Sequence, residues 1–499
     1  MSRGKKALYN SLSSILVQIV SIICGFILPR MVITTFGSAY NGITSSVGQF
    51  ISVVALLRAG VGGATRASLY KSLANKDTDS ISATIKATEQ FMRKVSFIFL
   101  VFIFIFAAVY PYLVKDEFEW FFTFTLVLII SISTFVQYFF GITYQMLLQA
   151  DQKQYISLLI EAITTALNTV ISIILIKLGF GIHAVKLGSA FAFSITPICL
   201  NLYTKKHYAL KKNIKPDYAT IGQRWDAFFH QIAAFINNNT DITLLTFFCN
   251  IKVVSVYTTY YLVGNGIRKI VSTCTVGIEA AFGNMMAKKE TSILNTNVKL
   301  FENFIHIISC ILFGSAYVLI TPFVQVYTKG VTDINYSRYL FGYLVITCEL
   351  LYCLCSPYQM LIESAGHFKQ TKKYAFIEAT LNLLISLLFV KKFNLIGVSL
   401  GTLVALTFRN IVYSTYSSKH IIHRKQYVSL LRYMVSFINI IVIYLLTIKM
   451  HNLDVLSYIN WIILATKVTI IATLSTITIN LIFYKKTTIQ LLKKMVSIL

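Results

Sequence analysis

Fourteen long apolar runs constrain the fold of this 499-residue chain more than any other feature of its sequence. A helix needs about 20 apolar residues to cross the hydrocarbon core of a bilayer. The connections between the runs are short, so the chain has no room for a sizeable soluble domain. The runs lie near residues 8–29, 42–64, 95–114, 119–140, 155–177, 180–203, 225–248, 254–283, 301–323, 337–361, 373–390, 394–417, 428–448 and 457–484. They predict an all-α integral membrane protein with fourteen transmembrane helices.

The charge of the chain indicates its orientation in the membrane rather than a nucleic-acid partner. Lys and Arg number 45 against 19 Asp and Glu, yet only 13% of all residues are charged and 56% are hydrophobic. Nucleic-acid-binding proteins place basic patches on polar surfaces, whereas these basic residues lie between apolar runs. If the N-terminus is cytoplasmic, 30 of the 45 basic residues fall on the cytoplasmic side and 10 in outer loops. This asymmetry predicts that both termini are cytoplasmic.

A weak internal repeat relates the first six runs to the next six. The segment Y-Q-M-L at 144–147 recurs at 358–361, and at the same offset Asn168 recurs as Asn382. Because six is an even number, both halves enter the membrane from the same side. Repeats of this kind are typical of transporters in which two helical bundles enclose a central site.

The repeat predicts three regions in the chain. Residues 1–210 form an N-terminal six-helix bundle, the N-lobe, and residues 211–420 form a C-terminal six-helix bundle, the C-lobe. We expect these pseudo-repeats to surround a central cavity. Residues 421–499 then supply two additional transmembrane helices.

Several short, glycine-containing segments resemble those of polysaccharide flippases. F-G-S-A-Y-N-G at 36–42 resembles the loop after their first helix, and L-L-R-A-G-V-G-G-A at 56–64 resembles the end of their second helix. Y-Q-M-L-L-Q-A-D-Q-K at 144–153 resembles their link between helices four and five. With the arrangement of six, six and two helices, the resemblance covers nearly the whole chain. It points to the O-antigen and capsule flippases of the multidrug/oligosaccharidyl-lipid/polysaccharide exporter superfamily.

The resemblance implies a transport function in a bacterial cytoplasmic membrane. The implied substrate is an undecaprenyl-pyrophosphate-linked oligosaccharide, moved to the outer leaflet by alternating access for surface polysaccharide biosynthesis. The implied partners are this lipid-linked oligosaccharide, membrane lipid, a coupling cation or proton, and polysaccharide assembly proteins. We expect no cofactor, no metal and no nucleic acid.

Three other functions remain as alternatives. A lipid II flippase and a cation-coupled multidrug exporter belong to the same superfamily. A membrane glycosyltransferase or polymerase is disfavoured, because the longest outer loop, 324–336, is too short for a catalytic domain. The sequence also has no phosphate-cradling glycine loop, which argues against direct ATP hydrolysis. We predict that the protein is a transporter and not an enzyme.

Cations inside the predicted spans are the candidates for binding the substrate pyrophosphate. A charge at the centre of a bilayer costs roughly 2.5–3.5 kcal/mol, so each such residue needs a reason. Arg268 and Lys269 lie near the middle of run 254–283, and a pyrophosphate group needs donors of this kind. The alternative is a structural ion pair with an acid inside the membrane. Arg58 and Arg409 lie nearer the cytoplasmic end of their spans and are candidates for the same cavity.

Polar residues in three spans complete the candidate site. Span seven carries a polar run that covers every face of a helix, so part of it must point inward: Asn237, Asn238, Asn239 and Asp241. These residues could contact sugar hydroxyls, or they could hold helices together, which is common for Asn in membranes. Glu349, central in span ten, is the candidate for binding a coupling cation or proton. Glu378 in span eleven is interpreted as a gate or packing residue.

Overall fold

The computed structural model describes residues 3–211, 213–221, 235–236, 239–275, 278–450 and 457–496, and these contain helices and connecting segments but no strand. The helices are α1 (Arg3–Phe36), α2 (Ser38–Ile51), α3 (Val54–Ala74), α4 (Thr78–Val109), α5 (Trp120–Val136), α6 (Ile142–Ala150), α7 (Gln154–Lys177), α8 (Ile182–His207), α9 (239–248), α10 (Ile251–Thr273), α11 (Ile278–Ala287), α12 (Thr291–Tyr327), α13 (Tyr339–Ser364), α14 (Phe368–Phe393), α15 (Leu395–His420), α16 (Tyr427–Thr447) and α17 (Tyr458–Val496). Helices are expected because a bilayer offers no water to the backbone, so each span must satisfy its own hydrogen bonds.

In the part of the chain that the structure describes, eleven helical segments are long and apolar enough to cross a membrane. They are α1, α4, α5 with α6, α7, α8, and the six helices from α12 to α17, and each coincides with a predicted run. The protein is therefore an all-helical, multi-pass membrane protein, as predicted. The count of fourteen spans is not confirmed. Half of run 225–248 lies outside the described residues.

Two predicted runs, 42–64 and 254–283, are each broken into two helices. The first is divided between α2 and α3, and the second between α10 and α11. At the end of α10, Ser272 Oγ and Thr273 Oγ1 donate to the carbonyl oxygen of Lys269 at 2.9 and 2.8 Å. Hydroxyls that bond to a carbonyl one turn earlier compete with the backbone and bend helices. Apolar content does not register such a break, and that these two runs cross the membrane stays a prediction.

The chain divides into two compact units, residues 1–255 and 256–499. Within the first unit, α7 packs against α1 and α8, and α5 packs against α8. Within the second unit, α15 packs against α13 and α14, while α12 packs against α13, α16 and α17. The lobe boundaries predicted from the repeat, at residues 210 and 420, stay a prediction.

One buried polar contact recurs in both units at the offset of the repeat. In α7, Ser172 Oγ donates to Asn168 Oδ1 at 3.5 Å, and in α14, Ser386 Oγ donates to Asn382 Oδ1 at 3.2 Å. Ser386 also faces Gly401 of α15, where an added Cβ would lie 2.0 Å from the serine Oγ. Only glycine therefore permits α14 and α15 to approach this closely.

Asp151, in the turn between α6 and α7, holds the N-terminal end of α1 within the first unit. Lys6 Nζ donates to Asp151 Oδ1 at 3.1 Å, Lys153 Nζ lies 2.7 Å from Oδ2, and Tyr208 OH donates to Oδ2 at 2.5 Å. Burial alone would raise the pKa of the Asp151 carboxyl. The bonds from Lys153, Tyr208 and Lys6 outweigh burial and lower this pKa below its ordinary value.

The lowered pKa predicts an acid-sensitive contribution to stability. Because the carboxyl is more acidic when folded than when unfolded, its contribution is complete above about pH 4 and is lost as the pH falls through the folded-state pKa. We expect Asp151→Asn to lower stability by about 1 kcal/mol at pH 7, since the pairs are partly exposed. Thermal unfolding of the purified protein should show a smaller difference from wild type at about pH 3 than at pH 7.

Asp79→Asn is the control for this experiment. Asp79 pairs with Lys211 at 2.5 Å, but both side chains are more than half exposed. Exposed pairs contribute little, so this variant should unfold near the wild-type temperature at both pH values. If Asp151→Asn lowers the unfolding temperature by the same amount at pH 7 and at pH 3, the role given to the Asp151 carboxylate is contradicted.

Candidate functional site

Arg268, on α10, pairs with Glu349 of α13 in the second unit. Nη1 of the arginine lies 3.3 Å from Oε2 of Glu349, and the two side chains are 20% and 7% exposed. Nη2 donates to Tyr261 OH at 3.1 Å and to Asn265 Oδ1 at 2.8 Å. Gly264 lets the glutamate approach, because an added Cβ would lie 3.0 Å from Glu349 Cγ. This contact is the intramembrane ion pair that the sequence offered as the alternative for Arg268.

Arg409, on α15, forms a comparable pair with Glu378 of α14. Nη1 lies 3.5 Å from Oε1 of Glu378, and the side chains are 12% and 5% exposed. Nη2 also donates to Gln359 Oε1, and Gln359 Nε2 in turn donates to Glu363 Oε1 at 2.7 Å. Glu378, which the sequence suggested as a gate or packing residue, is therefore the acidic partner of Arg409.

Tyr352 joins the two ion pairs. The guanidinium carbons of Arg268 and Arg409 lie 4.6 and 5.2 Å from the centroid of its ring. Stacking of a cation on an aromatic ring contributes about 0.5–2 kcal/mol, most where water is excluded. We call these five residues, Arg268, Glu349, Tyr352, Glu378 and Arg409, the Tyr352 cluster. Sequence reasoning missed Tyr352, although its position three residues after Glu349 places both on one face of α13.

Both ion pairs of the Tyr352 cluster are long. Charge-assisted hydrogen bonds between nitrogen and a carboxylate oxygen usually measure about 2.7–2.9 Å, whereas these separations are 3.3 and 3.5 Å. The arginines are thus positioned by several partial contacts rather than by one tight bidentate pair. This arrangement fixes the positions of two guanidinium groups and leaves N–H donors available to another anion.

The other candidate residues have separate surroundings. Lys269 is partly buried, and its Nζ has no ion pair among the residues that the structure describes. Asn239 Oδ1 accepts bonds from Gln49 Nε2 and from Ser52 Oγ, the latter at 3.0 Å. This is a helix–helix contact within the first unit, the alternative weighed for the polar run. Asp241 is buried in the same unit.

Three of the candidates cannot be placed. Asn237 and Asn238 lie outside the described residues. The backbone of Arg58 belongs to α3, but its side chain is outside the described part of the structure. Their predicted roles stay predictions.

A second buried ion cluster was missed by sequence reasoning. Glu302 of α12 is fully buried. Its two carboxylate oxygens accept bonds from Nη2 and Nη1 of Arg424, at 2.5 and 2.7 Å. Arg432 of α16 lies farther away, with Nε 3.6 Å from Glu302 Oε2. The sequence counts both arginines among the charges that set orientation. The available signal was Glu302, an acid at the start of run 301–323.

The helical arrangement matches that of solved transporters. A lipid II flippase, MurJ in an inward-closed conformation, superposes with a TM-score of 0.71 at 15% identity, covering 96% of this chain and 99% of that one. An outward-facing multidrug-resistance MATE transporter of the MOP superfamily gives 0.57 at 14% identity, covering 84% and 95%. The chain has the fold of MOP-superfamily transporters. A MOP-superfamily transporter from Pyrococcus furiosus gives a TM-score of 0.57 at 13% identity, covering 83% and 96%.

The MOP-superfamily fold confirms the prediction of a transporter-type membrane fold. It leaves the predictions of the family and of the substrate open. No family model and no curated protein sequence matches the chain. The fold agrees with a membrane transporter or flippase, and these three solved proteins are transporters rather than enzymes. The polysaccharide flippase family is not confirmed, because identities of 13–15% establish the fold alone.

Proposed function

We propose that this protein is a flippase that moves an undecaprenyl-pyrophosphate-linked oligosaccharide across the bacterial cytoplasmic membrane by alternating access. The observation that carries the proposal is the Tyr352 cluster. It holds two largely buried arginines over one aromatic ring, each at a long distance from its carboxylate. Buried arginines with available donors are suited to an anion that has to leave water during transport.

A pyrophosphate group fits the geometry of this cluster. Its two phosphates present oxygens on a short, rigid linkage, and the guanidinium fork recognises such oxygens in a bidentate way. Both guanidinium carbons lie within 5.2 Å of the same ring centroid, and we propose that one pyrophosphate bridges the two arginines. Lys269, the residue after Arg268, supplies a further cation next to the cluster.

Glu349 and Glu378 take part by releasing their arginines to the phosphates of the substrate. In its resting state the cluster holds two arginines and two carboxylates, so its formal charge is zero. Arrival of a pyrophosphate adds negative charge, which a proton or a cation bound at Glu349 would offset. Glu349 thereby couples substrate binding to the coupling ion.

Two other functions compete with this proposal. A lipid II flippase is favoured by the TM-score of 0.71 over 96% of the chain, and its substrate class would use the same arginines. A cation-coupled multidrug exporter would instead use Glu349 and Glu378 to bind cations. The substrate that the Tyr352 cluster selects separates these functions.

The test is binding and transport by the full-length protein in nanodiscs and proteoliposomes. Native mass spectrometry should show preferential binding of undecaprenyl-pyrophosphate-linked oligosaccharide over undecaprenyl phosphate and over phosphatidylglycerol. Arg93→Gln, which removes an arginine from an exposed pair with Glu89, should keep this preference.

Three results would change the conclusion. Equal binding of the monophosphate and pyrophosphate lipids would overturn the headgroup assignment. Transport of lipid II without transport of the oligosaccharide lipid would replace the first function by the second. Proton-driven uptake of a lipophilic cation with no lipid transport would favour the exporter.

A further inference from the structure

A small polar cavity lies inside the second unit, enclosed by α12, α16 and α17. Its volume is about 10 Å³, which is the space for one water-sized ligand. The residues that line it include Asn303, His306, Arg432, Ser436 and Tyr484. None of them belongs to the Tyr352 cluster, so the cavity is a separate feature from the proposed transport site.

Four polar side chains that line the cavity have an atom without a hydrogen-bond partner in the described part of the chain. Arg432 is 4% exposed, and its Nη1 has no hydrogen-bond partner in the described part of the chain. Tyr484 OH and His306 Nε2 have none there either. His306 Nδ1 lies 2.7 Å from Ser436 Oγ, so when the serine donates, Nε2 carries the ring hydrogen. Asn303 Oδ1 also lacks a partner, and a turned amide would present its NH₂ group instead.

The charge beside the cavity is unbalanced. Glu302 is taken by Arg424 in two bonds of 2.5 and 2.7 Å, while Arg432 has only one contact, of 3.6 Å, to the same carboxylate. Two arginines against one glutamate give these three described residues a net charge of +1. Arg432 is the surplus cation, and its ring contact, 4.8 Å from the Tyr484 centroid, compensates only part of a buried charge.

The nature of the ligand follows from the size and the charge together. The volume excludes phosphate, carboxylates and any larger anion. A water molecule would satisfy the donors but would leave the charge of Arg432 uncompensated in a membrane protein, where this is costly. A monatomic anion, which is only slightly larger than a water molecule, meets the charge requirement with the least volume.

We propose that this cavity is a chloride site, in which Arg432, His306 and Tyr484 hold the ion and fasten α16 and α17 to α12. The kink in α17 at Tyr484, with φ −133° and ψ 36°, brings the tyrosine to the cavity. The ion balances the charge of Arg432 and completes the packing of the three helices. Because the site is separate from the Tyr352 cluster, it stands whether or not the proposed transport function is correct.

The test is halide-dependent stability of the purified full-length protein. Its unfolding temperature is measured while sodium gluconate is replaced by sodium chloride or bromide at constant ionic strength. We expect a saturable rise in unfolding temperature with either halide for wild type and for Arg93→Gln. The rise should be lost in Arg432→Gln, whose long amide side chain keeps some of the packing but lacks the charge.

Crystals grown in bromide provide a measurement that does not depend on a variant folding. An anomalous bromide peak within hydrogen-bond distance of Arg432 Nη1 would support the site. Wild type that shows neither halide-dependent stability nor a bromide peak would overturn it, as expected for a water-filled cavity. A halide effect that is unchanged in a folded Arg432→Gln variant would overturn it as well.

Discussion

Arg268→Ala is expected to stop export of the lipid-linked glycan while its precursor accumulates in the cell. Arg268 supplies one of the two guanidinium groups over Tyr352, and it is an ion-pair partner of Glu349. A hydrogen bond to a charged group contributes about 1.5–3 kcal/mol, which corresponds to a transport rate roughly 10- to 100-fold lower. Surface glycan, lipid-linked precursor and membrane abundance of the variant are measured in the same cells.

Loss of the arginine also leaves Glu349 buried without its cation, so abundance alone could explain a defect. The double variant Arg268→Gln with Glu349→Gln removes both charges and keeps amide groups of similar shape. If Arg268 serves only the structure, this neutral pair should restore export. If it binds substrate, the double variant should be abundant and inactive, and it should bind the pyrophosphate lipid less tightly than Glu349→Gln alone, which separates the loss of Arg268 from the loss of the proposed coupling residue. Normal surface glycan in an abundant Arg268→Ala variant would refute the substrate role.

Glu302→Gln is expected to cause the largest loss of stability in the second unit. Its fully buried carboxylate accepts two short bonds from Arg424 and faces Arg432, so its removal leaves two cations without an acid. Breaking a buried pair from one side typically costs about 3–5 kcal/mol. The unfolding temperature of the purified variant should fall by several degrees or more, and its membrane abundance should drop.

Glu89→Gln is the matched control for this prediction. Glu89 pairs with Arg93 one helical turn away at 2.9 Å, and the side chains are 29% and 49% exposed. The same chemical change at this site should cost less than about 1 kcal/mol. Restoration of stability in Glu302→Gln with Arg424→Gln would show that the unbalanced charge, rather than the lost carboxylate, is responsible. Wild-type unfolding of Glu302→Gln would contradict the structural role of the cluster.

Apolar run length predicted the membrane helices well where a run is a single continuous helix. Eleven candidate spans in the described residues coincide with predicted runs, from α1 to α17. The same criterion did not register the division of run 254–283 between α10 and α11, where the hydroxyls of Ser272 and Thr273 donate to the carbonyl of Lys269. Hydropathy measures transfer from water to lipid and does not register which carbonyl a hydroxyl contacts.

The candidate site was predictable for single residues but not for their pairing. The cost of a buried charge singled out Arg268, Glu349 and Arg409, and these are part of one cluster. The pairing of Arg409 with Glu378 depends on how α14 packs against α15, which no local pattern specifies. Arg432 was assigned to the wrong group of charges. It lies inside run 428–448, yet it was counted with the loop charges that indicate orientation.

The break after α10 has a consequence for how the guanidinium group of Arg268 can move. Arg268 lies five residues before the end of the helix, and there the hydroxyls of Ser272 and Thr273 donate to the carbonyl of Lys269. A hydroxyl can keep its bond to a carbonyl by rotating one torsion. This end of the helix can therefore wind or unwind by a residue without exposing a carbonyl to lipid. Each residue wound turns a side chain by about 100° around the axis. Unwinding that reaches back to Arg268 would therefore turn its guanidinium group away from Glu349, while the preceding turns of α10 stay in place.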